Sequence, residues 1–479
     1  MDVTSSSAQK LSLGALVALV VGSMVGSGIF ALPAAFGRAT GAFGALIAWA
    51  IAGVGMLMLA FVFQTLSRRR PDLDAGIYAY AKAGFGDYLG FASAFGYWIA
   101  CCLADVACLL LIKSTLGMFV PAFGDGTTIP AIVGASVILW AFHFLVLRGV
   151  RQAAALNTIA TVAKTVPLGI FVVLAIAGFR ADLFALNFWG VEAPTFANVA
   201  GQVRNTMLVT VFVFVGIEGA SVYSRYAKNR ADVGIATVLG FLGVLALLVI
   251  VTMLCYGILL RPDLAVLQTP SLAGVMEALV GRWGTVFISV GLLISVLGNY
   301  LSWSLLAAEV LHSAASNDTM PVFLARENRH GVPEAALWST NIVIQTFLVV
   351  TYFAEYAFTL ALKMTSAMTL IPYLLVAAYG FKLAWTRETY DTEPRERDKD
   401  VVIGALAAAY ALAMIIAGGL KFVLLAALLY APGTVLFRMA RRQQGAPVFA
   451  STLEWTVFGI TAFAAVVALF GLLTGALTV

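Results

Sequence analysis

Long apolar stretches alternate with short polar ones along nearly the whole chain. About 20 mostly apolar residues cross a hydrocarbon core of about 30 Å as a helix. Runs of this length lie near residues 12–34, 43–66, 87–119, 129–147, 154–178, 202–226, 234–260, 284–313, 335–354, 358–386, 401–418, 419–438 and 453–477. The pattern predicts an all-α polytopic membrane protein with twelve or thirteen transmembrane spans, the two at 401–438 being the least clearly separated.

Three longer polar segments interrupt this pattern, at 67–86, 313–334 and 385–400. The last is WTRETYDTEPRERDKD, a charge run typical of a solvated linker. Because it follows the tenth span, we expect it to separate a transport core at 1–386 from peripheral C-terminal spans at 387–479.

Composition and charge agree with a membrane protein. The chain is 61% apolar and 11% charged, with a formal net charge of +5, and a large soluble domain is not expected. If the N-terminus lies inside, twenty of the 29 Lys and Arg residues fall on the cytoplasmic side. The positive-inside rule therefore predicts a cytoplasmic N-terminus on a retained first helix. The same distribution accounts for the net positive charge of the chain, so a nucleic-acid partner is not expected.

The residues typical of catalytic and metal sites do not form recognisable motifs. The four cysteines, Cys101, Cys102, Cys108 and Cys255, lie in apolar segments without metal-ligand spacing, which favours a role as small buried hydrophobes. No hydrolase nucleophile, phosphate loop or zinc motif occurs. We therefore expect no enzymatic activity, no metal and no cofactor, and ATP-driven transport is disfavoured.

Span 1 carries glycines where a membrane helix needs regular backbone. The segment GSMVGSGIFALP, residues 22–33, contains Gly22, Gly26 and Gly28. Glycine and serine permit close helix packing in membranes. They also permit a broken helix, whose free N–H groups bind an anion and whose free carbonyl groups bind a cation. Span 1 alone leaves both interpretations open.

Span 6 has a matching interruption. Its middle, FVFVGIEGASVYSR, contains Gly216, Gly219 and the carboxylate of Glu218. Spans 1 and 6 are the first of two five-span halves, and paired broken helices in such positions are typical of inverted-repeat transporters. The pairing favours a substrate site at the membrane midplane, built from both breaks.

The chemistry of the breaks favours an α-amino acid as ligand. The N–H groups of Ser27, Gly28 and Ile29, with the Ser27 hydroxyl, suit a carboxylate. Carbonyl groups released by unwinding suit an ammonium group. A ligand with both groups on one carbon matches this pair of helices.

Five segments together resemble one family of transporters. They are GSMVGSGIFALP in span 1, GYWIACCLADVA in span 3, FVGIEGASV with KNRADVG after it, SWSLLAAEV with TMPVFLAREN after it, and SAMTLIPYLL in span 10. They resemble the amino acid, polyamine and organocation superfamily, in its basic amino acid/polyamine antiporter branch, and are most similar to arginine/ornithine antiporters. The resemblance covers essentially the whole chain. It implies a five-plus-five inverted-repeat, LeuT-like fold, obligatory exchange and alternating access.

The resemblance also implies two groups of functional residues. The group around the substrate comprises Met24, Ser27, Gly28, Phe212, Val215, Trp303 and Thr365. Among these, the carbonyl groups of Met24, Phe212 and Val215 take the α-ammonium. The gating group comprises Tyr97, Phe212, Glu218, Trp303 and Tyr373.

Three positions depart from the arginine/agmatine members of the branch. Asp105 replaces an asparagine, Cys108 a methionine and Phe212 a tryptophan. A carboxylate near the distal end of the substrate favours a guanidinium or ammonium group. Alternatively, Asp105 is structural and hydrogen-bonded to a neighbouring span. Phenylalanine keeps an aromatic face but weakens a cation–π contact.

Lys164, Lys363 and His143 are further ionisable residues within predicted spans. Lys164, in the middle of span 5, either exchanges a proton during transport or joins span 5 to carbonyl groups freed in span 1. Lys363 either extends outward or forms an ion pair with Asp105, which would weaken the case for a cationic ligand. A lone histidine such as His143 is more often a packing residue than a proton relay.

The sequence thus predicts an inner-membrane antiporter for amino acids, with arginine and ornithine as the favoured pair. The alternatives are a proton-coupled importer and an exchanger of neutral or acidic amino acids. A sensor or an intramembrane enzyme is disfavoured because no signalling domain or catalytic constellation is present. The expected partners are small amino acids and the lipid bilayer, and a homodimer is compatible with the sequence.

Overall fold

The computed structural model describes residues 12–73, 76–149, 151–190, 193–218, 228–354, 356–390 and 394–477. The helices in these ranges are α1 Leu13–Met24, α2 Ser27–Ala39, α3 Ala42–Arg69, α4 Ile77–Phe85, α5 Asp87–Gly117, α6 Ile129–Leu147, α7 Arg151–Ala177, α8 Ala181–Asn187, α9 Phe196–Phe212, α10 Arg230–Tyr256, α11 Arg261–Val266, α12 Ser271–Val280, α13 Arg282–Ser316, α14 Glu334–Val350, α15 Ala357–Trp385, α16 Pro394–Gly418, α17 Leu420–Gln443 and α18 Thr452–Leu473.

The helices confirm an all-α, multi-pass membrane protein. Ten of those described are long and apolar enough to cross a membrane, and they correspond to predicted spans 2–4 and 7–13. Helices α1 and α2, bent by 46°, form span 1. The end of α7 and the short α8, bent by 98°, follow as span 5 and its extension. Helix α9 forms the first half of span 6, whose second half, with Gly219, lies outside the described residues.

Some predicted boundaries are wrong, because polar residues that pack against other helices resemble loops in a hydropathy pattern. The polar segment 67–86 contains the helix α4, and α16 begins at Pro394, well before residue 401. Helix α9 begins at Phe196, not near residue 202, and ends at Phe212 within the predicted span.

The second half of the charge run at 385–400 is bound to the end of α3. The Arg69 guanidinium lies 3.0 Å from Glu396 and 3.6 Å from Asp400, and it covers the Tyr390 ring at 3.6 Å from the centroid. The Tyr390 hydroxyl donates to Asp400 at 2.8 Å, and the Thr65 hydroxyl to the other carboxylate oxygen at 3.3 Å. The prediction of a linker is therefore wrong for residues 394–400, which begin α16, although Arg395, Asp398 and Lys399 are exposed to solvent as predicted.

The C-terminal spans pack closely on the preceding ten. Helix α16 lies against α15 and α3. Helix α17 approaches α5 at Gly96, where an added Cβ atom would overlap the Tyr430 hydroxyl. The division into a core at 1–386 and a remainder at 387–479 stays a prediction, but the two parts share an extensive interface.

The Asp400→Asn variant tests the contact between α16 and α3. The side chains of Arg69 and Asp400 are 7% and 9% exposed. Loss of the carboxylate leaves a buried guanidinium with less compensation, so we expect the variant to be less stable by about 2 kcal/mol. Melting temperatures of the purified protein in detergent measure the difference.

Asp398→Asn is the matched control two residues earlier. Asp398 is 76% exposed and pairs with Arg397 at 3.1 Å, so its loss should cost less than about 1 kcal/mol. Equal melting temperatures for the two variants would contradict a structural role for the segment 394–400.

Candidate functional site

The two helix breaks contact each other directly. The Ser23 hydroxyl, near the end of α1, donates to the Gly216 carbonyl at 2.8 Å. An added Cβ atom at Gly28 would lie 2.7 Å from Val213 Cγ1 and 3.0 Å from the Phe212 ring. Glycine at position 28 is therefore required by close packing between span 1 and span 6.

The backbone at each break explains the residues found there. Gly26, with φ −130° and ψ −142°, separates α1 from α2. The first N–H groups of a helix have no acceptor within it, so those of Ser27, Gly28 and Ile29 are available to a ligand at the start of α2. At Gly216 the φ angle is +106°, which favours glycine because a side chain would be strained.

A small cavity lies between the breaks. Its wall consists of Ser23, Met24, Gly26, Ser27, Gly28, Ala104, Phe212, Val213, Val215, Asn299, Trp303 and Thr365. The volume of about 20 Å³ suits roughly one water molecule. An amino acid can occupy the site only if the surrounding side chains, including the aromatic rings of Phe212 and Trp303, move apart.

Most predicted substrate residues line this cavity. Met24, Ser27, Gly28, Phe212, Val215, Trp303 and Thr365 are on its wall. Ile29, Asp105 and Cys108 are buried but do not line it in this conformation. The Thr365 hydroxyl donates to the Ala361 carbonyl of its own helix at 2.8 Å.

Asp105 is next to a wall residue in the chain but does not itself line the cavity. It follows the wall residue Ala104, is completely buried, and neither carboxylate oxygen has a hydrogen-bond partner among the described residues. Among the described residues, Asp105 forms neither the predicted structural hydrogen bond nor the predicted ion pair with Lys363. The Lys363 ammonium instead lies 5.8 Å from the centroid of the Phe422 ring.

The structure brings the three polar residues of the predicted gate together. The Tyr97 hydroxyl donates to one Glu218 carboxylate oxygen, and the Tyr373 hydroxyl donates to the other at 2.5 Å. All three side chains are buried. They join span 3, the break in span 6 and span 10 through one carboxylate.

Lys164 connects span 5 to the end of α1. Its ammonium group donates to the Gly22 carbonyl at 2.6 Å, and the residue is 3% exposed. The contact is the one expected for a structural cation, and a proton-coupling role stays a prediction.

His143 makes packing contacts, as expected of a lone histidine within a span. Its Nδ1 atom lies 3.0 Å from the Asn341 amide nitrogen. Its ring centroid lies 4.2 Å from that of Trp338. All four cysteines are buried and free. In the described ranges no group of three or more His, Cys, Asp or Glu side chains could hold a metal ion.

Asn299, which lines the cavity from α13, is not among the residues predicted from the sequence. It lies four residues before Trp303 and therefore on the same helix face. Its polar side chain one turn from a predicted aromatic gate is the signal that could have identified it.

Comparison with known proteins establishes the family. The sequence profile described as "Amino acid permease" matches residues 11–421. The chain therefore belongs to the amino acid permease family, within the amino acid, polyamine and organocation superfamily.

Two relatives align over almost their whole length. The "Arginine/ornithine antiporter" of Pseudomonas aeruginosa is 54% identical, and the alignment covers 99% of this chain and 100% of that protein. The "Arginine/agmatine antiporter" of Chlamydia abortus is 39% identical, with 97% of each chain covered. These matches confirm the predicted branch.

A solved structure shows the fold. The crystal structure of MhsT in complex with L-phenylalanine has a TM-score of 0.58 and 13% sequence identity, and the match covers 84% of this chain and 98% of that one. It confirms the predicted LeuT-like fold.

The Gly216→Ala variant tests the contact between the breaks. A Cβ atom there would lie 2.9 Å from the Ser23 carbonyl oxygen, in addition to the strain of a positive φ angle. We expect a loss of stability of about 3 kcal/mol, measured by thermal unfolding in detergent.

Gly281→Ala separates strain from packing. Gly281 has a φ angle of +79° and no atom within 4 Å of an added Cβ. Its substitution introduces backbone strain without a close contact, so it should cost less than Gly216→Ala. If Gly216→Ala were no worse than this control, the close contact between spans 1 and 6 would be refuted.

Proposed function

We propose that this protein is an antiporter that exchanges basic amino acids across the membrane by alternating access, with arginine and ornithine as the favoured pair. The relatives named as arginine/ornithine and arginine/agmatine antiporters support this proposal. The proposed activity moves substrates without converting them chemically.

The observation that carries the cationic specificity is the carboxylate of Asp105. A buried carboxylate without hydrogen bonds is costly, and a guanidinium or ammonium group of the substrate would satisfy it. Ala104, the residue before Asp105 in the chain, lines the cavity. In the proposed bound state, the substrate side chain passes Phe212 and Trp303 and its cationic end meets Asp105, with Thr365 nearby, whereas Cys108 lies against Asn299.

The other end of the substrate lies at the breaks. The N–H groups of Ser27, Gly28 and Ile29 bind the α-carboxylate. The carbonyl groups of Met24, Phe212 and Val215 bind the α-ammonium. Both ends must be occupied for the site to close, which explains why one substrate is exchanged for another of the same shape.

Closure on the cytoplasmic side depends on Glu218. Its hydrogen bonds from Tyr97 and Tyr373 hold spans 3 and 10 against the segment that follows the span 6 break. Phe212 and Trp303 close over the substrate as aromatic gates. Release to the cytoplasm requires the Tyr97 and Tyr373 contacts to open.

The proposal includes a cellular setting. The apolar helices and the bacterial relatives support an inner-membrane protein, and the excess of Lys and Arg on alternate loops supports a cytoplasmic N-terminus. We propose residues 1–386 as the transport core and 387–479 as peripheral spans, which are available for contact with lipid or a second subunit.

Counterflow in proteoliposomes tests the substrate class. Vesicles loaded with cationic, neutral or acidic amino acids, or amines, are offered labelled arginine. We expect exchange with cationic compounds only. Asp105→Asn should lower arginine exchange about tenfold or more, because it removes the charge from the interaction.

Asp125→Asn is the matched control, because Asp125 lies in a loop between α5 and α6, where its carboxylate accepts from the Thr127 hydroxyl at 2.6 Å. Its exchange rate should equal that of the wild type. Exchange restricted to neutral or acidic compounds would refute the cationic specificity.

The second candidate function is a proton-coupled importer that uses Lys164. The buried contact between Lys164 and Gly22 favours it, because a proton lost from this ammonium would release α1. Uptake into vesicles without internal substrate, driven by a pH gradient, would distinguish import from exchange. We expect no such uptake.

Lys164→Ala tests both roles of the lysine. The loss of the hydrogen bond to Gly22 should loosen the span 1 break and lower arginine exchange about tenfold. The decrease in exchange and its pH dependence are measured from the rates of labelled arginine exchange at several external pH values. Full exchange with unchanged pH dependence would exclude both the structural and the proton-coupling role.

A further inference from the structure

A buried amide on the cavity wall lacks part of its hydrogen bonding. Asn299 is 6% exposed, and its Oδ1 atom has no hydrogen-bond partner among the described residues. Its Nδ2 atom lies 3.6 Å from the Cys108 sulfur, which is a weak acceptor. A buried amide that lacks a partner is costly. Because this one lines the cavity, a ligand is the natural partner.

The amide faces the span 1 break. An added Cβ atom at Gly26 would lie 2.5 Å from Nδ2 and 3.0 Å from Oδ1 of Asn299. Gly26 immediately precedes the N–H groups of Ser27 and Gly28 at the start of α2. Asn299 therefore lies at the end of the cavity that binds the α-carbon substituents under the proposed function.

The chemistry of a carboxamide matches an amino acid head group. The Nδ2 group donates two hydrogen bonds and Oδ1 accepts. A substrate carboxylate accepts hydrogen bonds from Nδ2, and a substrate ammonium group donates a hydrogen bond to Oδ1. Ser27 and Gly28 approach the head group from span 1, whereas Asn299 approaches it from span 8.

We propose that Asn299 binds the α-carboxylate and α-ammonium groups of the substrate, and thereby selects amino acids over the corresponding decarboxylated amines. The inference rests on the proposed transport of amino acids and adds a specificity determinant to it. Arginine and agmatine share the guanidinium group and differ in the carboxylate, so Asp105 cannot distinguish them, whereas Asn299 can.

The test compares dissociation constants for amino acids and their amines. Isothermal titration calorimetry on the purified full-length protein uses three pairs: arginine with agmatine, ornithine with putrescine, and leucine with isopentylamine. The measured quantity is the ratio of the amine constant to the amino acid constant. In Asn299→Ala this ratio should fall about tenfold or more, because a hydrogen bond to a charged group is lost.

A second variant and a control sharpen the result. Asn299→Asp keeps the shape and the acceptor but places a negative charge beside the substrate carboxylate. It should lower the ratio further while agmatine still binds, which also shows that the protein is folded. Ser295→Ala is the matched control one turn earlier on α13, since Ser295 is buried but does not line the cavity. Its ratio should equal that of the wild type.

The outcomes separate the two proposals. Unchanged ratios in both Asn299 variants would overturn the inference, as would equal losses for amines and amino acids. Wild-type protein that binds only the leucine pair would refute the cationic specificity, and the leucine ratio would still decide the role of Asn299. Wild-type protein that binds none of the six compounds would overturn both proposals.

Discussion

Unpaired backbone groups are costly within a bilayer, and the structure depends on how two broken helices meet this constraint. The Gly216 carbonyl accepts from the Ser23 hydroxyl, and the Gly22 carbonyl accepts from Lys164. Each break is thus stabilised by the other or by a neighbouring span. The N–H groups at the start of α2 have no acceptor within their own helix, and in the proposed function they bind the substrate carboxylate.

The contact between the breaks also links the site to the gate. Glu218 lies two residues after Gly216, on the same short segment, and holds Tyr97 and Tyr373. Under the proposed function, a substrate that separates Phe212 from Gly28 acts on the same short segment that carries Glu218. The cavity and the contacts of Glu218 with Tyr97 and Tyr373 are therefore connected through a few residues of one chain segment.

The Gly22 and Gly216 carbonyl groups have hydrogen-bond donors, whereas some side-chain groups around the cavity have no partner among the described residues. Asp105 and Asn299 Oδ1 are buried without hydrogen-bond partners in the described part of the chain. One follows the wall residue Ala104 in the chain, and the other lies against Gly26. Under the proposed function, a basic amino acid has a cationic side chain for Asp105 and an α-ammonium group for Asn299 Oδ1, so one class of ligand satisfies both residues.

The sequence by itself determined ten of the spans and the break in span 1, because hydropathy and glycine act locally along the chain. Through resemblance it also indicated most of the residues that line the cavity and the cluster of Tyr97, Glu218 and Tyr373. Only the tertiary structure decided that Asn299 lines the cavity, that Asp105 is buried without a hydrogen-bond partner among the described residues, and that Glu396 and Asp400 bind the end of α3. These contacts join residues far apart in sequence, and the rotation and packing of whole helices set them. A charged residue that faces another helix has the same local pattern as one that faces water.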